Sequence, residues 1–223
     1  MGIFRRKIKA IQKPLQNKNI LITGWPATGS TFIYQVINEL VPGRVLKDHQ
    51  YKLDNESNYK LKFFSIRDPR AIILSNAKRD SKNIYDTQGI FAACKVEVEK
   101  FLAAKYLDDY LLALNDSTYI IIKYEDFFLN GEEFLLRFII SQVGLSVSTN
   151  DFNNILNKFS IENNMLRSNQ IKGFTNYDNE SLIHGNHIST NGSIDAWKQE
   201  LNQTSLDHIY NTKIGEFIKK QYE

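Results

Sequence analysis

Short apolar runs along the chain alternate with stretches whose apolar residues recur every three or four positions. Ile20-Leu21-Ile22 reads as a buried strand, and Leu61–Ile66 and the β-branched run Ser117–Lys123 read the same way. With a short segment at Gly43–Lys47, the predicted strands cover 19–23, 44–47, 61–66 and 118–123. Phe32, Ile33, Val36, Ile37 and Leu40 fall at helical spacing after the first strand. Pro69 suits the first turn of a helix running to about Lys78. Gln88–Asn115 reads as one long helical region with Phe91, Val96, Phe101, Leu102, Tyr106, Tyr110 and Leu114 in the core. Helices are also predicted from Gly131 to Val143, from Asp151 to Asn164, and from Ser193 onward. The last buries Trp197, Leu201, Leu206, Ile209, Ile214, Phe217 and Ile218. Asn169–Asn186 is polar and irregular, long enough for a lid or substrate loop. Strands alternating with helices imply a P-loop NTPase-like three-layer α/β fold, a central parallel sheet flanked by helices.

The joints between these elements carry the chemistry. Gly24, Pro26 and Gly29 separate the first strand from the first helix. The first amides of a helix lack internal partners and point at whatever precedes it, and glycine lets a phosphate approach the backbone. Gly24, Gly29 and Thr31 fit the nucleotide-triphosphatase pattern G-x-x-x-x-G-K-[ST], but Ser30 holds the lysine position. The loop therefore points to a phosphate-like ligand and away from an ordinary ATPase; a strand–turn–helix with no ligand is the plain alternative. Lys47-Asp48-His49 lies where the second strand ends, and ligands collect at the carboxyl ends of strands in open α/β sheets. Arg67 ends the third strand, and Ser75 follows on the next helix; both can face one anion. The alternative is a structural pairing of Arg67 with Asp68 or Glu125.

Length and composition narrow the classes. A chain of 223 residues makes one domain, here a basic extension over 1–18 and a domain over 19–223. Net charge of +3 does not demand nucleic acid, and none is expected as a partner. The lone cysteine, Cys94, excludes an intramolecular disulfide and suits a reducing compartment, so a cytoplasmic location is expected. Arg5, Arg6, Lys7, Lys9, Lys13 and Lys18 interleave with apolar residues; this is a solvated extension or a weak membrane-surface contact. Arginine at position 6 breaks the myristoylation pattern, and no apolar run reaches the ~18 residues of a membrane span. The N-x-[ST] triplets at Asn55, Asn179 and Asn202 are read as accidental. No metal site is expected, because His49, His184, His187 and His208 lack companion cysteines.

Four blocks in order resemble the sulfotransferases that use 3′-phosphoadenosine 5′-phosphosulfate (PAPS), and they span nearly the whole chain. Trp25-Pro26-Ala27-Thr28-Gly29-Ser30-Thr31-Phe32 resembles the P-K-S-G-T-T-W loop for the 5′-phosphosulfate. Lys47-Asp48-His49 is similar to K-T-H, whose histidine is the catalytic base. Arg67 through Ser75 looks like R-[DN]-P-[RK]-D-x-x-x-S, whose arginine and serine hold the 3′-phosphate. Lys123-Tyr124-Glu125-Asp126 is similar to the Y-E-D block, whose tyrosine lies near the adenine. Gly192 through Trp197-Lys198 is a weaker likeness to the G-x-x-G-x-W-[KR] ending.

The resemblance implies sulfuryl transfer from PAPS to a hydroxyl or amine of a small-molecule, glycan or other acceptor, leaving adenosine 3′,5′-bisphosphate (PAP). It makes His49 and Lys47 catalytic and puts Ala27–Phe32, Arg67, Ser75, Tyr124, Asn191 and Gly192 against the nucleotide. Two departures stand out. Ala27 replaces the loop lysine that bridges to the leaving oxygen, with Lys47 or Arg44 as candidate replacements, and Thr190-Asn191 replaces a basic pair. A silent nucleotide-binding module and a P-loop kinase remain the rival readings.

Overall fold

A computed structural model of the chain describes residues 19–49, 59–185, 188 and 192–223, with the side chains of 128–130 left aside. The basic segment 1–18 and the positions Asn55, His187, Thr190 and Asn191 lie outside the described residues. Four parallel strands form one sheet in the order β2-β1-β3-β4. They are β1 (Asn19–Gly24), β2 (Val45–Lys47), β3 (Tyr59–Ile66) and β4 (Tyr119–Lys123). All four predicted strand segments share this sheet. No helix among the described residues is long and apolar enough to cross a membrane.

Successive strand residues face opposite sides of the sheet, so Phe63 and Phe64 enter different cores. One core joins Ile20, Ile22, Phe63 and Ile122 to α1 (Ser30–Leu40), α6 (Tyr124–Val143) and α7 (Thr149–Phe159). The other joins Trp25 and Phe64 to α2 (Pro69–Arg79), α4 (Ile90–Ala103), α5 (Tyr106–Asn115), α10 (Gln203–Tyr210) and α11 (Lys213–Gln221). The remaining described helices are α3 (Lys82–Gln88), α8 (Ile161–Gln170) and α9 (Ala196–Glu200).

The helix boundaries depart from the apolar pattern at several places, and the stretch from Ser193 onward is three helices, not one. Gln88–Asn115 is not continuous: Lys105 takes a left-handed conformation (φ 56°) between α4 and α5. The break shifts the phase of α5, which buries Tyr110 and Ala113 and leaves Leu114 exposed; Phe91 on α4 is exposed as well. Asp151–Asn164 is split at Ser160, whose extended backbone ends α7 and whose hydroxyl accepts from Asn163 N to cap α8. Capping by serine at such a turn is favourable, and α8 then runs into the start of the segment predicted as irregular. The helix expected from Gly131 begins at Tyr124, with Gly131 leaving helical geometry within it. Helix α3 buries no residue, so no apolar periodicity announces it.

The chain passes from β1 to β2 on one side of β1 and then to β3 on the other, so the first loop opens at the point where strand order reverses. There β1 and β3 come very close. A Cβ built on Gly24, at φ 124°, would lie 2.2 Å from the carbonyl oxygen of Ser65. Trp25 N donates to that same oxygen at 3.1 Å. The Trp25 side chain is fully buried, donates through Nε1 to the Tyr106 carbonyl at 2.7 Å, and meets Phe101, Tyr110 and Phe217 edge-on. The break before α5 thus presents the carbonyl that anchors the loop.

Gly24→Ala is predicted to cost roughly 3 kcal/mol or more, since its Cβ meets backbone that cannot yield and the residue sits in the left-handed half of the map. Urea denaturation measures it; an unchanged midpoint would contradict the close approach.

Candidate functional site

The β1–α1 loop is fixed from below before it meets any ligand. Thr28 Oγ1 donates to the Trp25 carbonyl at 2.6 Å and is hydrogen-bonded to Ser65 Oγ at 2.7 Å. Gly29, at φ 78°, starts α1, and a Cβ there would meet the Tyr124 ring at 3.1 Å. Ala27 is one of the described non-glycine residues with positive φ, at 58°. Such a conformation costs of order 1–3 kcal/mol and clusters at functional sites. The Ala27 carbonyl accepts from Arg67 Nη1 at 3.1 Å.

Two cavities meet at this loop. The first, about 340 Å³, is lined by Ala27, Gly29, Thr31, Phe32, Arg67, Ser75, Tyr124 and Gly192, and by Phe127, Glu132, Leu135, Ile161, Asn164 and Ile183. The structure thus brings together residues from the first, third and fourth sequence blocks, with Gly192 from the fifth. The second, about 300 Å³, is lined by Ala27, Gly29, Ser30, Thr31, Lys47 and His49, with Asn76, Arg79, Asp80, Glu97, Lys100 and Phe174 around it. Ala27, Gly29 and Thr31 belong to both.

Arg67 is 4 % exposed, and no carboxylate pairs with it among the described residues. Nη1 and Nη2 donate to the carbonyls of Ala27 and Ser193, the guanidinium lies 4.2 Å from the centre of the Tyr124 ring, and Nε is buried without a partner. The structural pairing with Asp68 or Glu125 does not form. Asp68 instead holds Arg70 through contacts of 2.7–3.1 Å, and Glu125 Oε1 accepts from Asp68 N at 2.8 Å. Glu125 is within electrostatic reach of this buried guanidinium but not in contact with it, and a buried charge without an ion pair in contact is costly. Together with the cavity beside it, this fits a phosphate. Tyr124 is pushed up to about 12 by burial and donates its hydroxyl to the Gly192 carbonyl at 2.9 Å.

On the other side, Lys47 Nζ donates to Thr31 Oγ1 at 2.9 Å. Burial pushes its pKa down to about 8, and the charge of Arg79 adds to the effect. His49 Nδ1 lies 3.0 Å from the Gly24 carbonyl. A carbonyl only accepts, so Nδ1 carries the proton and Nε2 keeps its lone pair for a base. His49 is exposed by surface area, yet the many protein atoms around it penalise the imidazolium most, and Lys47 and Arg79 add to it. Its pKa falls to about 4, against the pull of Gly24 and Asp48.

Arg44 precedes β2, and its carbonyl accepts from Ile20 N, so it sits at the amino end of the strands and cannot replace the loop lysine. His184 is occupied by packing: its Nδ1 lies 2.8 Å from the Phe174 carbonyl and its ring stacks on Phe174 at 4.6 Å. Trp197 covers the Arg70 guanidinium at 3.8 Å. Arg79 was not singled out in the sequence, although it lies one helical turn beyond Ser75 on α2.

No family model matches the sequence, and no curated protein does. Solved structures do. Mouse sulfotransferase SULT7A1 complexed with PAP matches with a TM-score of 0.61 at 15 % identity, over 92 % of this chain and 88 % of that one. Retinol dehydratase in complex with androsterone and inactive cofactor PAP matches with a TM-score of 0.56 at 12 % identity, over 93 % and 81 %. The chain has the PAPS-dependent sulfotransferase fold.

In the ligand-free protein, His49 is expected to titrate near 4 by NMR of its ring carbons, remaining neutral above about pH 5. A midpoint at the unperturbed ~6.5 would contradict the environment described.

Proposed function

We propose that this protein is a sulfotransferase that uses PAPS and moves its sulfuryl group to an acceptor hydroxyl or amine. One observation carries the reading. Two cavities share the loop residues Ala27, Gly29 and Thr31, one holding Ser75 and Arg67, which makes no ion pair among the described residues, the other holding Lys47 and His49. The fold supports it, as does the PAP in both solved structures.

On this reading Arg67 and Ser75 hold the 3′-phosphate, and Tyr124 and the apolar side chains of the cavity take the adenosine. The loop amides from Thr28 to Thr31, with Ser30 and Thr31, cradle the 5′-phosphosulfate; Asn191, outside the described residues, is assigned beside Gly192 on the nucleotide side. The donor supplies an activated sulfuryl group: an acceptor oxygen–sulfur or nitrogen–sulfur bond forms as the bond to the 5′-phosphate breaks, releasing PAP. His49 Nε2 takes the acceptor's proton. Lys47, with Thr31, stabilises charge at the leaving oxygen in place of a lysine at position 27. The domain is assigned to 19–223 with 1–18 as an extension. A cytoplasmic setting suits the buried free thiol of Cys94.

Ala27 favours a second reading, nucleotide binding without transfer. The kinase reading loses its acids, since Glu125 accepts from Asp68 N and Asp68 holds Arg70.

Calorimetry is expected to show Arg67→Ala weakening PAP about 10- to 100-fold while barely affecting adenosine 5′-phosphate, the span of one charged hydrogen bond. Equal losses for both would remove Arg67 from the 3′-phosphate.

In single-turnover transfer from labelled PAPS, His49→Ala is expected to slow the chemical step by roughly 10²–10⁴-fold with PAP affinity kept. Transfer at the wild-type rate would overturn the base assignment, and PAP binding without transfer to any acceptor would favour the silent module.

The pH profile of kcat/KM reports the free enzyme. The base works once neutral, so the acid limb is expected near 4. Lys47 works while charged, so activity falls as pH rises through about 8. Lys47→Arg is expected to remove that alkaline limb, and a limb that stays would separate it from Lys47.

A further inference from the structure

Beyond Tyr124, helices α6 and α8 add Phe127, Leu135 and Ile161 to the lining of the Arg67 cavity, with the polar side chains of Asn164 and Glu132 among them. Asn164 has no capacity left. Its Nδ2 donates to Gln35 Oε1 at 3.0 Å and to the Phe159 carbonyl at 2.8 Å, and its Oδ1 accepts from Gln35 Nε2 and Arg167 Nη1, both at 3.3 Å. Glu132 is only half used. Its Oε1 accepts from Ile161 N at 2.8 Å, at the start of α8. Its Oε2 has no hydrogen-bond partner among the described residues. Burial pushes the Glu132 carboxyl up, and the Ile161 amide opposes this; no cation does.

A ligand that fills this cavity displaces the water around Oε2. An acceptor left unmet among apolar side chains is costly, so the ligand has to bring it a donor. The position of Glu132 decides which part of a nucleotide that is. Glu132 follows Tyr124 by eight residues of α6, about 12 Å at 1.5 Å per residue, less what the break at Gly131 removes. The Tyr124 ring lies against Arg67, and the negative charge of Glu132 is felt at Tyr124. Phosphates avoid a carboxylate, so with a phosphate on Arg67 it is the base that approaches Glu132. Because Ile161 N occupies Oε1, one oxygen is free. The 6-amino group of adenine supplies one donor to it. A 6-oxo purine would set an oxygen there, acceptor against acceptor. Guanine carries donors at N1 and N2, but that pair suits a carboxylate with both oxygens free.

We propose that Glu132 reads the base of the nucleotide, its Oε2 accepting from the 6-amino group of adenine and turning away 6-oxo purines. This rests on the PAPS reading and adds the residue that sets the base.

The test is calorimetry on the full chain with the 3′,5′-bisphosphates of adenosine, inosine and guanosine. The wild type is expected to bind the adenosine form about tenfold or more tightly than the other two, the span of one charged hydrogen bond. Glu132→Gln keeps an oxygen for Ile161 N and turns the group facing the base from an acceptor into a donor. It is expected to weaken the adenosine form about tenfold and to leave the inosine form unchanged or tighter. A purely structural role at the start of α8 would weaken both alike. That result overturns the proposal, as does an unchanged preference in the variant or no preference in the wild type. A second measurement needs no variant. Carbon-13 NMR of the wild-type Glu132 carboxyl is expected to show a lower midpoint with the adenosine form bound than with the inosine form, because a donated hydrogen bond favours the carboxylate. Equal midpoints overturn the proposal as well. A protein that binds none of the three bisphosphates overturns the donor reading and this inference with it. One that binds them without preference, yet weakens on Arg67→Ala, overturns the inference alone.

Discussion

Between Gly24 and Ser65 the backbones of two neighbouring strands run so close that no side chain fits, and the whole site depends on that approach. It lets Trp25 N reach the Ser65 carbonyl and turns the chain sharply out of β1. The Trp25 indole then drops into the aromatic core and the loop rises above it. Thr28 bonds back to both Trp25 and Ser65. A loop held in this way loses little freedom when it meets a phosphate, so its amides are organised before the ligand arrives.

The same geometry divides the site in two. Ala27, Gly29 and Thr31 line both cavities, so the two sides adjoin at the loop. The electrostatics of the two sides differ. Arg67 donates to two carbonyls and makes no ion pair among the described residues, a state that favours an incoming anion. Lys47 and Arg79 both hold down the proton affinity of His49, after burial, so its ring is neutral near neutral pH. The strain at Ala27, whose carbonyl faces Arg67, falls where the two sides join.

Much of this was legible in the sequence, and the parts that were not have physical causes. The strands showed as apolar runs because both faces of the sheet are covered. The loop, Arg67 and Ser75 showed because they sit at a strand end or on the helix that follows it, whereas Tyr124 entered only through the resemblance of Lys123-Tyr124-Glu125-Asp126 to a family block. The breaks at Lys105 and Ser160 did not show, since one residue of altered backbone barely disturbs the apolar period on either side. Helix α3 hid because none of its residues is fully buried. The charged lining of the second cavity, Arg79, Asp80 and Glu97, was the least legible. Its members lie on two helices joined through α3, and only packing brings their charges into one cavity. The helical offset of four between Ser75 and Arg79 was the one cue available.

A crystal structure with adenosine 3′,5′-bisphosphate tests the central claim most directly. The account predicts the 5′-phosphate on the loop amides between Thr28 and Thr31, and the 3′-phosphate within hydrogen-bonding distance of Arg67 and Ser75, with Arg67 released from at least one of its two carbonyls. A nucleotide bound elsewhere, or one whose 3′-phosphate leaves Arg67 on Ala27 and Ser193, would contradict it.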